Sequence, residues 1–197
     1  MISAIVLAAG ASARMGEPKA ILKIGEKTFL QHIVDVLYSA CILDTVIVLG
    51  NDAVKIQNTL DWFQGKVVIN DNWQQGQLSS IIAGMNRLNG TDLHGVMICP
   101  VDHPLISQGL LVDLLQTFWK SKKKIVLPVY DQKRGHPVIF SKELFDELKS
   151  APINVGARFV VRQHSNDVAE LVTTEEGVVQ NIDTPEDYEM KILSRLK

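Results

Sequence analysis

The chain is poor in the features that mark secreted, membrane-spanning and nucleic-acid-binding proteins. Its 197 residues include only two cysteines, Cys41 and Cys99, and neither has a second cysteine or a histidine nearby at metal-ligand spacing. No apolar run is long enough to cross a bilayer. A formal net charge of −2 gives no general attraction for nucleic acids. We therefore expect buried, unpaired thiols in a protein without membrane or nucleic-acid partners.

Size and composition indicate one globular domain. Hydrophobic residues make up 46% of the chain and charged residues 21%, which is ordinary for a globular protein. A chain of 197 residues is long enough to bury a sizeable core. Met1 leads directly into an apolar segment, without the basic residues that open a signal peptide. We expect the protein to work in the cytoplasm.

Apolar runs alternate with amphipathic segments along the chain. The predicted strands are residues 2–7, 44–49, 67–69, 96–99, 125–129, 138–140, 168–173 and 178–180. Between them lie segments with apolar residues at helical spacing, for example around Leu30, Leu60 and Leu110. Such alternation is typical of a parallel, right-handed wound sheet. We predict a single-domain, Rossmann-like α/β fold with three layers (α/β/α) and a mostly parallel sheet.

The first strand runs into an unusual loop, residues 7–19, with the sequence LAAGASARMGEPK. Its small residues let a ligand approach the backbone, and Gly10 and Gly16 tolerate conformations that other residues resist. Arg14 and Lys19 add two positive charges. Exposed backbone N–H groups beside such cations are suited to a polyphosphate. The glycine spacing fits neither the common phosphate loop nor the dinucleotide fingerprint.

The loop pattern Leu-Ala-Ala-Gly-x-Ser-x-Arg-Met-Gly-x-x-Lys resembles the signature of the MobA-like nucleotidyltransferases. It is most similar to their molybdenum cofactor cytidylyltransferase branch. Four later segments resemble family motifs in the same order: Trp73 to Ser80, Asp102-His103-Pro104, Gly135-His136-Pro137 and Asp183 to Asp187. The resemblance implies the nucleotide-diphospho-sugar transferase type of fold. It also implies one nucleotidyltransferase domain over 1–197, with a nucleotide half at about 1–105 and an acceptor half at about 106–197.

Asp102 is the best candidate for a metal ligand on the residues alone. It follows a predicted strand and lies between two prolines, and Mg²⁺ takes one or two carboxylates together with phosphate oxygens. The resemblance adds Asp183 as a second Mg²⁺ ligand. Arg14, Lys19 and Asp102 are the expected catalytic residues. His103, between Asp102 and a proline, receives no role.

The resemblance, together with the loop and the amide-rich segment after the third strand, predicts the substrate contacts. The expected nucleotide-binding residues are Leu7, Ala8, Ala9, Gly10, Ala11, Ser12, Ala13, Arg14, Lys19, Asn72, Gly76, Gln77, Ser79 and Ser80. Gly135, His136 and Pro137 are expected to bind the acceptor, although a purely structural His136 is an equal alternative. Family members often carry the motif Asp-x-Gly-Ala-Arg at the position of residues 154–158. This chain has Asn154 in place of the aspartate, so the negative charge of the motif is missing.

The chemistry expected from this resemblance is Mg²⁺-dependent transfer of CMP from CTP to the phosphate of the molybdopterin cofactor, with release of pyrophosphate. Arg14 would neutralise the leaving pyrophosphate, and Lys19 would lie at the α-phosphate. Ala9 stands where the guanylyl branch tends to carry glycine. Its methyl group narrows the pocket, which favours CTP over a purine nucleotide.

Four other functions stay open at this point. A related enzyme could transfer a cytidylyl or uridylyl group to a sugar or polyol phosphate, or a guanylyl group to molybdopterin. A dinucleotide-dependent oxidoreductase would share the alternation of strands and helices, but the glycine fingerprint is missing. A carrier could hold a phosphorylated cofactor and pass it to a molybdenum hydroxylase apo-enzyme, a step that is also compatible with catalysis.

Overall fold

A computed structural model of the chain describes residues 1–88 and 90–195. The strands are β1 (Ile2–Ala8), β2 (Lys23–Ile24), β3 (Lys27–Thr28), β4 (Thr45–Leu49), β5 (Lys66–Ile69), β6 (Gly95–Pro100), β7 (Ile125–Tyr130), β8 (Lys133–Arg134), β9 (Val138–Ser141) and β10 (Val168–Val172). The α-helices are α1 (Phe29–Ser39), α2 (Ala53–Gln57), α3 (Gln77–Met85), α4 (Gln108–Ser121), α5 (Phe145–Ser150), α6 (Arg158–Gln163) and α7 (Pro185–Lys191). Several 3-10 turns join them.

One mixed sheet organises the molecule, with strands in the order β10-β7-β9-β6-β1-β4-β5 and β8 paired to β7. β1 is central and pairs in parallel with both β4 and β6. β9 inserts between β6 and β7 and is antiparallel to both. The chain therefore leaves β1 toward β4 and later returns to β6 on its other side. In open α/β sheets such a reversal leaves a crevice at the carboxyl ends of the strands.

The sheet is covered by helices on both faces. Alternate residues of β1 point to opposite sides, so that Ala4 and Val6 join one apolar cluster while Ile5 and Leu7 join the other. The first cluster includes buried side chains of α1 and α4, and the second includes those of α3, α5 and α6. This arrangement confirms the predicted single-domain α/β/α fold with a mostly parallel sheet.

Side-chain hydroxyl groups cap the starts of three helices. The side chain of Thr28 accepts a hydrogen bond from the Gln31 N–H, and Ser107 does the same for Leu110. Thr184 forms a reciprocal capping box with Asp187 at the start of α7. Because Thr184 fixes the start of α7, the preceding Asp183 is held at a defined place on the edge of the crevice.

Three local predictions are wrong. The helix around Leu60 ends early, because α2 spans only Ala53–Gln57. Residues 176–178 form a 3-10 turn where a strand was predicted from residue 178, since Gly177 packs directly against the Leu105 backbone. Cys41 is exposed and lies just beyond the end of α1 with a positive φ, whereas Cys99 is buried as expected.

Across residues 1–88 and 90–195, the structure has no helix long and apolar enough to cross a membrane.

Candidate active site

The loop after β1 presents its backbone toward the crevice. Ser12 has φ of 50°, and its carbonyl oxygen accepts hydrogen bonds from the N–H groups of Met15 and Gly16. Its hydroxyl oxygen accepts a further bond from the Lys19 N–H at 3.2 Å. In the described part of the chain, the N–H groups of Gly10 and Ala11 donate to no protein atom. Such free amides can bind an anion.

Lys19 joins the two carboxylates that the sequence assigns to a metal. Its ammonium group lies 3.4 Å from Asp102 Oδ2 and forms a closer ion pair with Asp183 Oδ1. Arg14, whose side chain is 71% exposed, donates to Asp183 Oδ2 at 2.8 Å. Asn181 donates to the same oxygen at 2.5 Å. Residues from the two ends of the chain therefore meet at one place.

The charges around Asp183 determine its ionisation. Burial alone would raise the pKa of its carboxyl group, but the hydrogen bond and charge of Lys19, together with Arg14, lower it below the ordinary value. Asp183 is therefore ionised at neutral pH. It is available both to the lysine and to a competing cation.

The pair of carboxylates fits a divalent ion that also binds substrate phosphates. Within the described ranges there is no group of three or more histidine, cysteine, aspartate or glutamate side chains that could hold a metal alone. Mg²⁺ commonly takes one or two carboxylates and completes its shell with phosphate oxygens and water. Asp102 and Asp183, both within reach of one lysine ammonium group, supply oxygen donors of this kind.

A cavity of about 350 Å³, here named the loop cavity, lies beside this cluster. The predicted site residues that line it are Leu7, Ala8, Ala9, Gly10, Ala11, Ser12, Lys19, Gly76, Gln77, Ser80 and Asp102. Ile56, Trp73 and Gln74 also line it, although the sequence-based list lacks them. Trp73 could have been predicted from the sequence, because it begins the segment Trp73 to Ser80 that resembles a family motif. Ile56 lies in no such motif.

Several predicted residues lie next to the loop cavity without lining it. Ala13, Arg14, Asn72, Ser79 and Asp183 are absent from its described walls. The hydroxyl of Ser79 donates to the carbonyl oxygen of Gly76 at 2.8 Å and accepts from the Asn70 side chain at 2.8 Å. Asn70 also donates to Ser80 Oγ at 3.0 Å. This buried network shapes the turn that leads into α3, which begins at Gln77.

A second cavity of about 510 Å³, here named the arginine cavity, adjoins the first. Gly76 and Gln77 line both cavities. Gly135 and His136 line the arginine cavity, whereas their predicted companion Pro137 is buried beside it. A Cβ at Gly135 would overlap the carbonyl oxygen of Val178, so this loop can follow its path only with glycine.

His136 contacts His103, the residue to which the sequence gives no role. Their ring centroids are 5.0 Å apart, and neither Nδ1 has a hydrogen-bond partner among the described residues. Burial, followed by the charge of His103, lowers the pKa of His136 to about 4. Burial also lowers the pKa of His103, against the opposing charge of Asp102. Both rings are therefore neutral at physiological pH. His103 was missed because only its contact with His136, which is distant in sequence, distinguishes it.

Comparisons with known proteins agree with this geometry. A family model described as the MobA-like NTP transferase domain matches residues 4–168. The chain is 27% identical over 194 residues to nicotine blue oxidoreductase of Paenarthrobacter nicotinovorans, which covers 94% of the chain and 93% of that protein. It is 23% identical over 188 residues to a probable molybdenum cofactor guanylyltransferase of Mycobacterium avium (strain 104), with 94% and 92% covered.

A solved structure shares the whole fold. The crystal structure of Rv0371c from Mycobacterium tuberculosis H37Rv has a TM-score of 0.84 at 25% identity and covers 98% of this chain and 97% of its own. A structure of Rv0371C in complex with manganese has a TM-score of 0.78 at 26% identity and covers 98% of each chain.

Proposed function

Because the chain belongs to the MobA-like NTP transferase family and is accordingly a nucleotidyltransferase, we propose that it transfers CMP from CTP to the phosphate group of the molybdopterin cofactor. The observation that carries the proposal is the meeting of Lys19, Asp102 and Asp183 beside the free amides of the first loop. This combination suits a polyphosphate, whose negative charge has to be held and neutralised.

The reaction forms a bond between an acceptor phosphate oxygen and the α-phosphorus of CTP, and it breaks the bond to the leaving pyrophosphate. The acceptor phosphate is already an anion near neutral pH, so no side chain has to remove a proton from it. The main barrier is repulsion between two anions, and alignment and charge neutralisation lower it.

Each of the proposed groups would reduce the repulsion between the two anions. The amides of Gly10 and Ala11 would hold the β- and γ-phosphates, Arg14 would bind the leaving pyrophosphate and Lys19 the α-phosphate. Asp102 and Asp183 would hold Mg²⁺, which when bound neutralises phosphate charge and orients the oxygens. Until nucleotide arrives, Lys19 occupies the space between the carboxylates and keeps their charges compensated.

CTP is proposed as the donor because of Ala9. Its side chain is 5% exposed and lines the loop cavity near Trp73, and its carbonyl oxygen accepts a bond from the Asn51 N–H at 3.1 Å. The methyl group is therefore held by a fixed backbone. Guanylyl transfer stays the alternative, since a relative is named as a probable molybdenum cofactor guanylyltransferase.

Molybdopterin is proposed as the acceptor, with Gly135, His136 and Pro137 in the acceptor half of the chain. Transfer to a sugar or polyol phosphate is the alternative. The product would pass in the cytoplasm to a molybdenum hydroxylase apo-enzyme.

The decisive experiment measures pyrophosphate release with Mg²⁺, each of four nucleoside triphosphates, and molybdopterin cofactor or a polyol phosphate as acceptor. Asp102→Asn is the test variant, and Asp113→Asn on the exposed face of α4 is its matched control. We expect release with CTP and molybdopterin that only Asp102→Asn abolishes. Pyrophosphate release with GTP alone would overturn CTP as the proposed donor. Release with the polyol phosphate alone would overturn molybdopterin as the proposed acceptor.

A nicotinamide-dependent activity is the second candidate, because one relative is named an oxidoreductase. The absence of the dinucleotide glycine fingerprint argues against it. Calorimetry with the oxidised and reduced nicotinamide cofactors tests it. Saturable binding that CTP displaces would favour this function over nucleotidyl transfer.

A further inference from the structure

The arginine cavity combines an apolar floor with a strongly basic rim. Its floor includes Leu78, Ile98 and Phe140, which are nearly or fully buried side chains of α3 and the sheet. Such a floor stabilises a ring by removing its apolar faces from water. Aliphatic and aromatic side chains offer no hydrogen-bond partners to the hydroxyl groups of a polyol.

The rim carries three arginines, Arg134, Arg158 and Arg162, and the described lining of the cavity includes no carboxylate. Arg134 is already paired, since its Nε and Nη2 each lie 2.7 Å from Glu170 Oε1. The guanidinium groups of Arg158 and Arg162 have no ion pair or hydrogen bond within residues 1–88 and 90–195. Positive charge in this part of the cavity is therefore uncompensated by the protein.

Arg158 and Arg162 act on the same part of the cavity. They are four residues apart in α6 and so share one helix face. They line only the arginine cavity, whereas Gly76 and Gln77 line both cavities. Under the proposed function, the phosphate that reacts with the nucleotide would lie toward the shared wall, and the two arginines would then face the rest of the acceptor.

We propose that Arg158 and Arg162 select the acceptor by binding a negatively charged group on a planar, ring-bearing acceptor, at a position other than its reacting phosphate. The inference deepens the proposed function and rests on it, because it takes the arginine cavity as the acceptor site. Arginine suits this task because its planar fork binds oxyanions through two parallel hydrogen bonds. A polyol phosphate has neither the ring nor the second charge.

The test uses equilibrium binding and does not depend on turnover. The probe is 6-carboxypterin, a fluorescent planar ring with one carboxylate, titrated into the wild type and into Arg158→Gln and Arg162→Gln. Arg87→Gln is the matched control, because Arg87 is exposed and lines neither cavity. We expect each test variant to weaken binding about tenfold or more, as loss of a charge-assisted hydrogen bond requires, and the control to bind like the wild type.

Two further measurements separate the outcomes. Unsubstituted pterin should bind more weakly than 6-carboxypterin and with equal affinity to all four proteins, because it lacks the carboxylate. CTP affinity, measured by calorimetry, should be the same in all four proteins and confirms that each is folded. Equal 6-carboxypterin affinity in the wild type and the two test variants would overturn the proposal, as would no binding to the wild type. If the wild type binds 6-carboxypterin as expected but releases no pyrophosphate, that result would instead count against the proposed transfer reaction.

Discussion

Lys19 Nζ lies 3.4 Å from Asp102 Oδ2 while it pairs more closely with Asp183, so one ammonium group occupies the space between two carboxylates. Its side chain is only 12% exposed, which limits screening of these charges by water. A divalent cation that uses both carboxylates therefore has to displace this ammonium group or share the oxygens with it.

Replacement of Lys19 should have opposite effects on metal binding and on transfer. In Lys19→Met the two carboxylates lose their compensating charge, so Mn²⁺ should bind more tightly without nucleotide, as measured by electron paramagnetic resonance. Transfer should fall by about two to three decades, since a contact to developing charge is lost. The control is Lys149→Met, because Lys149 is exposed near the end of α5. Weaker Mn²⁺ binding in Lys19→Met would contradict the idea that Lys19 and the metal compete for the two carboxylates.

Asp183→Asn should raise the Mg²⁺ concentration needed for half-maximal activity. The substitution keeps the size of the side chain but removes the charge that faces Lys19 and Arg14. When activity is titrated against Mg²⁺, the concentration that gives half-maximal activity should therefore rise by about tenfold or more, the effect expected from the loss of one charged contact. A variant with lower kcat and an unchanged Mg²⁺ dependence would show that Asp183 acts only through Lys19. Chelation with EDTA should stop the wild type, and added Mg²⁺ should restore it.

The preference for the nucleotide base should respond to Ala9. Removal of its methyl group in Ala9→Gly widens the loop cavity at a backbone that is held by Asn51. The ratio of kcat/KM for CTP to that for GTP should fall by about tenfold, the effect of about one methylene-sized contact. Competition experiments with both nucleotides in one assay measure this ratio directly. An unchanged ratio would move base selection to Trp73 or the amides that follow it.

Stability in acid should depend on Asp44, far from the site. Burial alone would raise the pKa of its carboxyl group, but hydrogen bonds from Ser3 and Lys66 and the charge of Lys66 lower it below the ordinary value of 3.8. A carboxyl with a lowered folded-state pKa stabilises the fold above its unfolded pKa, and this contribution is lost as the pH falls through the folded value.

Asp44→Asn should therefore be less stable than the wild type by about 1–2 kcal/mol at pH 7. The difference should shrink as the pH falls below about 4, where the carboxyl of the unfolded wild type becomes protonated, and it should disappear once the folded-state carboxyl is protonated as well. Urea unfolding at a series of pH values measures both. A difference that stays constant down to pH 2 would mean that shape, and not charge, makes Asp44 stabilising.

The sequence was most informative where local rules decide the structure. The alternation of apolar strands and amphipathic helices predicted the sheet. Three helices begin after Thr28, Ser107 and Thr184, residue types that favour helix starts through their hydroxyl groups. The early end of α2 and the 3-10 turn at residues 176–178 were not predicted. At the turn, Gly177 packs against the backbone of Leu105, and the local apolar pattern holds no sign of that tertiary contact.

The candidate site could be predicted only as separate pieces. Family motifs mark the first loop, Asp102 and Asp183, but the ion pairs that join them connect residues more than eighty positions apart. The contact between His103 and His136 and the uncompensated pair Arg158 and Arg162 also depend on distant elements meeting. Composition and residue spacing do not predict contacts between residues that are distant in the sequence.

The wall that Gly76 and Gln77 contribute to both cavities has a consequence for what happens after the reaction. Under the proposed reaction the nucleotide and the acceptor become a single molecule that extends across this wall. Each half then holds the other at a high effective concentration, so the joined product should dissociate more slowly than either substrate. A product retained in this way leaves most readily when a recipient protein removes one half at a time.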